Sequence, residues 1–369
     1  MQKCTIFDCE WYSYQQGAVI DNKIYVSNKE GQLTDTFTLL CGPWEDRDLP
    51  LMLFYVTTAP NDSTVAEIGD DKWGFFNVST GDIVAQPIYE DANCFCFSTL
   101  AKVRMGQKTG FIDKTGHVVG GIEWDDAHTF SNRAALCAVR KGALWGYINA
   151  KGEVVVEPQF NEVGKWQHFE SYEHDDVVSD DGHQAPIALV KKAEQYGFIN
   201  DRGSYFLQPQ FDQVGQWERL YAMPPIRVGA TREQTIEWVF EWNASQIGHA
   251  TFVSKKGKYG FINDQGHCFI KPTFDKARDF WMGYYAPVKV DGKWGFIDIT
   301  GALVISPAFS DVGECGMNIY MIKQNRTWGI LTSDLKIIMP EEGLKYVIYN
   351  GEQISFRGRR ISSRRKVKV

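Results

Sequence analysis

The sequence lacks the motifs of common enzymes and metal sites. None of its eight cysteines forms a Cys-x-x-Cys pair, which argues against a zinc knuckle or a thioredoxin-like site. Gly-x-Ser-x-Gly, His-Glu-x-x-His and a glycine-rich phosphate loop are also missing. We therefore expect a protein that is not an enzyme and that uses no cofactor and no metal. We expect the cysteines to pack as small hydrophobic residues.

Long hydrophobic runs are missing too. The longest, residues 49–56, is far too short to cross a bilayer. The first ten residues lack the basic and then apolar run of a secretory signal. The net charge of −7 argues against a general nucleic-acid binder. These features predict a protein of the reducing cytoplasm that does not contact a membrane.

What the sequence does contain is a repeat. Its clearest copy begins at Trp294-Gly295, continues with two apolar residues and reaches a polar turn that ends at Gly301. Residues 303–305 predict a returning strand, and Pro307 is expected to end it. The seven copies begin at Trp73, Thr109, Trp145, Tyr196, Tyr259, Trp294 and Trp328, and glycine follows each of these residues. The proline recurs at Pro87, Pro158, Pro209 and Pro272, with an aromatic residue two positions later.

This pattern resembles the WG repeat family, which is found mainly in bacterial proteins. The resemblance covers roughly residues 60–340 and rests on the spaced copies, of which the one at Thr109 lacks the aromatic start. It implies a β-repeat scaffold and supplies no catalytic residues. We expect an all-β fold of about seven tandem three-stranded antiparallel units. Ring-like, propeller-like closure is favoured over an open twisted β array, because closure removes exposed sheet edges.

The segments around the regular copies define the predicted domain organisation. Residues 1–58 carry a faint echo of the repeat and predict an N-terminal cap or a degenerate unit. Residues 59–340 form the repeat array. Residues 341–369 follow as a hairpin, with its turn at Asn350-Gly351, and a basic tail.

Two consecutive units are longer than the others, by about 15 and about 27 residues. Both additions fall between the crossover and the next strand, at about 168–187 and 219–250. Insertions at one repeat position emerge on one face, which is often the binding face. Because the two units are consecutive, we predict that the insertions form one composite surface.

The first insertion is acidic. It carries six carboxylates and three histidines but no Lys or Arg, which suits a surface for a basic partner. A plain solvated loop and a metal site built from His and carboxylate groups are the alternatives. The candidate contact residues are Glu170, Glu173, Asp175, Asp176, Asp180 and Asp181.

The second insertion contains an alternating aromatic stretch, residues 235–242. If this stretch is a strand, its apolar side chains lie on one side. It is then either an extra strand that covers the scaffold or an exposed strip for a protein partner or peptide. The candidate contact residues are Trp238, Phe240 and Trp242, next to Ile236.

The C-terminal tail carries seven basic residues and no acid, which leaves the rest of the chain at a net charge of −14. Three interpretations stay open. The tail is mobile or docks on the acidic body, it binds an acidic partner, or it binds nucleic acid. Without a lipidation motif or an amphipathic helix, it would hold a membrane only weakly. The candidate residues are Arg359, Arg360, Arg364, Arg365 and Lys366.

These patterns favour a non-enzymatic protein-interaction scaffold, with another protein as its partner. An immunity or regulatory protein that caps a basic target is one concrete form of it. The alternative is a carbohydrate- or small-ligand-binding module, or an enzyme with an aromatic-lined site.

Removal of residues 357–369 tests the nucleic-acid interpretation of the tail. Because the body of the chain is acidic, we expect the full and truncated chains to be retained equally weakly on immobilised DNA and RNA. Retention that is lost on truncation, and that weakens steeply between about 0.05 and 0.2 M salt, would assign the tail to nucleic acid.

Overall fold

The computed structural model describes most of the chain. The described residues are 2–8, 13–27, 33–34, 51–57, 71–95, 98–131, 134–169, 186–221, 246–280, 284–314, 320–332, 335–339, 344–349, 353–358 and 365–368. Throughout these ranges the regular structure is β-strand, joined by turns. None of the residues described forms a helix that is long and apolar enough to span a membrane.

The chain divides into two compact units. The first comprises residues 1–168, 185–193 and 197–206. The second comprises residues 169–184, 194–196 and 207–369.

The first sheet combines the N-terminal segment with the first repeat. Its strands are β1 Gln2–Asp8, β2 Ser13–Ile20, β3 Lys23–Ser27, β4 Leu33–Thr34, β5 Leu51–Thr57, β6 Asp71–Asn77 and β7 Ile83–Tyr89. They lie in the order β4-β3-β2-β1-β5-β6-β7.

Three sheets follow in chain order. Their strands are β8 Asp91–Ala92, β9 Ala101–Met105, β10 Lys108–Ile112 and β11 Val118–Trp124; β12 Asp126–Ala127, β13 Leu136–Lys141, β14 Leu144–Asn149 and β15 Val154–Phe160; β16 Glu162–Gln167, β17 Ile187–Lys192, β18 Gln195–Asn200 and β19 Tyr205–Phe211. In each sheet the four strands are adjacent in sequence order.

The remaining strands form four more sheets. They are β20 Gln213–Val214, β21 Glu218–Tyr221, β22 Gln246–Lys255, β23 Lys258–Asn263 and β24 Cys268–Phe274; β25 Lys276–Ala277, β26 Ala286–Val290, β27 Lys293–Ile297 and β28 Leu303–Phe309; β29 Asp311–Glu314, β30 Tyr320–Gln324, β31 Thr327–Leu331 and β32 Ile337–Ile338; β33 Leu344–Tyr349, β34 Gln353–Gly358 and β35 Arg365–Lys368. Both β20 and β21 pair with β22, and the other strands again follow sequence order.

These sheets confirm an all-β fold of tandem antiparallel repeats. The predicted three-stranded unit appears, for example, as β13, β14 and β15. A short fourth strand from the preceding crossover, here β12, pairs with the first strand of the unit, and the repeat pattern did not predict this strand. Closure into a ring stays a prediction.

The N-terminal segment belongs to the same sheet as the first repeat. β5 pairs with β6 along its whole length, from Leu51 opposite Asn77 to Thr57 opposite Asp71. The predicted boundary at residue 58 therefore falls between two paired strands.

A bulge in the third strand lies against the repeat glycine. On β14, Trp145 and Tyr147 are two residues apart, whereas their partners on β15, Phe160 and Val156, are four residues apart. A Cβ on Gly146 would overlap the carbonyl oxygen of Val156. Glycine is therefore needed here because the bulged backbone occupies the space of a side chain. The same register shift occurs opposite Gly74, Gly260 and Gly295.

The repeat proline lies inside this bulged strand and not at its end. We expected Pro307 to end the strand, but β28 runs from Leu303 through Pro307 to Phe309. Phe309 pairs with Trp294, so the ladder resumes beyond the proline. That prediction was wrong because a bulge leaves a residue unpaired, and proline has no N–H to donate.

Aromatic rings pack together with aliphatic side chains in the cores of the units. In the second unit, Phe130 from the crossover meets Phe111 at 4.9 Å between ring centroids and an angle of 81°. In the third, Trp166 meets Tyr147 at 5.7 Å, and its indole N–H donates to the carbonyl of Leu136 at 2.9 Å. A fully buried ring such as Phe111 stabilises the fold by about 2–3 kcal/mol.

The polar residue at the end of the second strand forms a turn. In the third unit, Oδ1 of Asn149 accepts the N–H groups of Lys151 at 2.9 Å and Glu153 at 3.0 Å. Equivalent bonds are made by Asp113, Asn200, Asn263 and Asp298. These side chains are therefore engaged in local backbone structure.

A polar residue after the third strand reaches the hairpin of the next sheet. Oδ2 of Asp125 accepts the Gly142 N–H at 2.6 Å, and its Oδ1 lies 2.6 Å from Nζ of Lys108. The Lys108 hydrogen bond is the main reason why the pKa of Asp125 lies below its ordinary value. In later sheets Asn161 accepts from Ala193, and Asp212 accepts from Gly257.

Two cysteines confirm the prediction of hydrophobic packing. Cys4 and Cys137 are buried free thiols, and burial raises the pKa of both. Cys268 differs because it is exposed at the start of β24.

The role of the repeat glycine is tested by Gly146→Ala. The new methyl group would meet the bulged backbone, so we expect the free energy of unfolding to fall by about 2–4 kcal/mol. Gly142→Ala is the matched control. Nothing lies within 4 Å of its added Cβ, and its positive φ alone costs about 1–2 kcal/mol. Urea titration of both variants gives the comparison, and equal losses would contradict the proposed close approach.

Candidate functional site at the bases of the insertions

The first insertion rises from paired strands, which we call the first stem. β16 is six residues long, whereas its counterparts β8, β12 and β20 have two. The stem is β16 paired with β17, and its last pair is Gln167 opposite Ile187. The insertion predicted at 168–187 therefore starts and ends at a β ladder.

The second stem is β21 paired with the first residues of β22. Glu218 lies opposite Ala250 and Tyr221 opposite Gln246, with an irregularity next to Gly248, whose φ is 130°. At the two ends of the insertion predicted at about 219–250, residues 219–221 and 246–250 are strand. Their backbone N–H and C=O groups pair within the sheet instead of facing solvent.

An aromatic cluster lies at the bases of both insertions. Phe169 comes two residues after the last pair of the first stem, and its ring lies 5.1 Å from Trp217 and 4.9 Å from His249. Trp217 directly precedes the second stem, and His249 lies within it. We call Phe169, Trp217 and His249 the root cluster. It fixes the start of the first insertion against both ends of the second.

The imidazole of the root cluster also faces a carboxylate. Nδ1 of His249 lies 3.3 Å from Oδ2 of Asp264, which accepts the backbone N–H of His249 at 2.8 Å. The Asp264 N–H donates back to the His249 carbonyl at 3.0 Å. The side chain of His249 is 7% exposed and that of Asp264 is 15% exposed. This arrangement anchors the start of β22 to the turn of its own unit.

A second carboxylate holds the other side of the base. Oδ2 of Asp279 accepts the Gln216 N–H at 2.9 Å, and Oδ1 accepts the Phe252 N–H at 3.0 Å. The Thr251 hydroxyl lies 3.4 Å from Oδ1. Burial is the main reason why the pKa of Asp279 rises to about 6. A Cβ on Gly215 would overlap this carboxylate, so glycine leaves the space for it.

The side chains of this site hold backbone segments in position. Its carboxylates accept backbone N–H groups, and its rings pack on one another. Among the residues that the structure describes, no group of three or more His, Cys, Asp or Glu side chains could hold a metal ion.

Three of the tryptophans that start repeats, Trp145, Trp294 and Trp328, lie beneath a cation from the neighbouring strand. Arg140 lies opposite Trp145 in the β13–β14 ladder, with its guanidinium carbon 5.8 Å from the ring centroid. Lys289 covers Trp294 in the same way at 5.8 Å. Such a cation contributes about 0.5–1 kcal/mol at a partly exposed site. The protein's own side chains therefore occupy these ring faces.

The contact residues predicted from the sequence lie mostly outside the described residues. This holds for Glu170, Glu173, Asp175, Asp176, Asp180, Asp181, Trp238, Phe240, Trp242, Arg359, Arg360 and Arg364. Arg365 and Lys366 belong to β35, where they pair with Phe356 and Ser355 of β34.

Comparison with known families agrees with the repeat geometry. The family described as "WG containing repeat" matches residues 73–108, 110–145, 145–168, 196–219, 259–294 and 294–328, which is just over half of the chain. The chain belongs to the WG-repeat family. The second WG match starts at Gly110, next to the residue Thr109 that departs from the aromatic start.

Other comparisons add little about the WG repeats. No curated protein sequence matches the chain. A crystal structure of the eukaryotic initiation factor covers 91% of this chain and 94% of its own, at 10% identity and a TM-score of 0.34. BamB from Moraxella catarrhalis covers 93% of each chain, at 8% identity and a TM-score of 0.27. At these values the similarity carries no argument about function.

Sequence reasoning on the WG repeats missed Phe169, His249 and Asp279. The sequence did contain one signal for this site. Both units with insertions share Val-Gly-x-Trp in the crossover, and Gly215 of this motif makes room for Asp279. Asp279 itself occupies a repeat position that is Thr129 in the second WG unit, so no periodic pattern pointed to it.

The root cluster is tested by Phe169→Ala. Loss of this ring should lower the free energy of unfolding by about 3 kcal/mol and shift the NMR signals of the His249 ring, which now lies beside it. Ile88→Ala is the control, since Ile88 is 49% exposed and its truncation should cost under about 1 kcal/mol. Unchanged stability together with unchanged His249 signals would show that Phe169 does not pack there.

Proposed function

We propose that this WG-repeat protein is a non-enzymatic protein-interaction scaffold, and that its two insertions form the contact surface. The observation that carries this proposal is the packing of Phe169 on Trp217 and His249. This packing brings the start of the first insertion to the base of the second. A composite surface needs such proximity, and a rigid scaffold lowers the entropy lost on binding.

The use of the aromatic residues also supports this proposal. Among the residues that the structure describes, some rings lie beneath cations, as at Trp145 and Trp294, and others pack in cores, as at Phe111. A stacking ligand would have to displace these contacts.

The negative charge of the first insertion favours a basic partner. The first insertion concentrates six carboxylates without a compensating Lys or Arg, within a chain of net charge −7. Such a field attracts a basic protein surface and speeds its association. A cap on a basic enzyme or toxin, in an immunity or regulatory role, fits this charge. We also propose a cytoplasmic site of action, supported by the free thiols of Cys4 and Cys137.

The stems define how to test the proposal without disturbing the scaffold. One variant replaces residues 170–185 and 222–245 with short Gly-Ser linkers, since the flanking ladders supply their own pairing. A second variant keeps both insertions and changes only the six acids to Asn or Gln. A third changes only Trp238, Phe240 and Trp242 to Ala.

Partners retained by the wild type from native lysate are purified and their binding is measured by calorimetry. We expect the linker variant to lose a basic protein partner and the amide variant to bind it at least about tenfold more weakly at about 0.1 M salt. The amide variant should lose less at about 1 M salt. A partner that binds all three variants equally, or a saccharide that binds with no protein partner, would overturn the scaffold in favour of a ligand-binding module.

A further inference from the structure

The Asp279 carboxylate joins three parts of the second insertion's base. It accepts N–H groups from Gln216, in the crossover before the second stem, and from Phe252, in β22. Asp279 itself lies in the next crossover, between β25 and Phe280. One side chain thus ties the strand that leaves the insertion to the segment that enters it. Loss of these hydrogen bonds would release the backbone of Gln216 and would loosen the position of the adjoining Trp217.

We propose that Asp279 is a protonation-dependent latch on the base of the second insertion, which holds the base more firmly when the carboxyl is neutral and less firmly when it is ionised. A neutral carboxyl still offers oxygen acceptors to the two N–H groups. It also avoids the unfavourable placement of a charge in a half-buried site. The proposal concerns the base alone and does not depend on the nature of any partner.

The direction in which the stability of the closed base changes with pH follows from proton linkage. In the closed base the pKa of Asp279 is raised to about 6, whereas the ordinary value, which an open and solvated base would restore, is 3.8. The closed base therefore binds the proton more tightly. Its added stability is fully present below the ordinary value and is lost as the pH rises through about 6.

The groups that face Asp279 act on its pKa in both directions, and burial outweighs those that lower it. Glu218, in β21, is the charged neighbour and raises the pKa of Asp279 further. From β22 come the Phe252 N–H and the Thr251 hydroxyl, and from the crossover comes the Gln216 N–H, all of which lower the pKa less than burial raises it. Arg278, the preceding residue, lies over the ring of Trp294, 5.4 Å from its centroid.

Hydrogen exchange of the full chain tests the latch. Protection factors of Gln216 and Phe252, corrected for intrinsic rates, are measured by NMR at about pH 5 and about pH 7.5. We expect both to fall about tenfold between these values, while amides of β27 stay constant. In Asp279→Asn the protection should no longer change with pH. Asp275→Asn is the matched control, because Asp275 pairs with Lys258 at 2.7 Å and should leave the change intact.

Two results would overturn the proposal. One is equal protection of Gln216 at both pH values in the wild type. The other is a pH-dependent change that persists in Asp279→Asn. If that variant fails to fold, the carboxyl carbon of Asp279 is titrated in the wild type. A midpoint near about 4 would exclude the latch, and one near about 6 with coupled shifts at Gln216 would support it.

Discussion

The close approach between the repeat glycine and the bulged third strand is the constraint on which the rest of this structure depends. The Val156 carbonyl lies where a side chain of Gly146 would be, and the bulge lets β15 advance by extra residues. The strand then returns to pairing at Phe160, opposite Trp145. This return places the next residue, Asn161, beside the following hairpin. There its Oδ1 accepts the Ala193 N–H at 2.8 Å. The link from one sheet to the next thus depends on the repeat glycine, on the bulged strand with its proline and aromatic residue, and on the polar residue that follows this strand.

Much of this repeat could be predicted from the sequence, because its signals are local. The aromatic-Gly start and the polar turn that ends in glycine predicted the two strands of each hairpin, as for β27 and β28 around Gly301. The bulge could not be predicted, since proline usually ends a strand and only the register of Trp294 with Phe309 shows that β28 continues. The short fourth strands are two residues long in most sheets and leave no periodic pattern.

The candidate site was predicted only in outline. The excess length of two units located the insertions, yet their stems and root cluster depend on contacts between residues far apart in sequence. Phe169 and His249 are 80 positions apart, and no local pattern links them. The contacts that form the site are made by residues that depart from the repeat pattern. Tyr147 is another, because its buried hydroxyl has no hydrogen-bond partner in the described part of the chain, at a position that is Phe111 in the preceding unit.

The bulged strands have a further effect on how the molecule behaves in a crowded solution. β15, β24 and β28 are the outermost strands of their sheets, and such strands invite a second chain to add to them. Each carries a proline within a kinked backbone, at Pro158, Pro272 and Pro307. A kinked edge with a missing donor offers a poor template for intermolecular ladders. On general grounds, the bulge and proline that build the repeat make such an edge a poorer site for amyloid-like pairing than a straight edge strand.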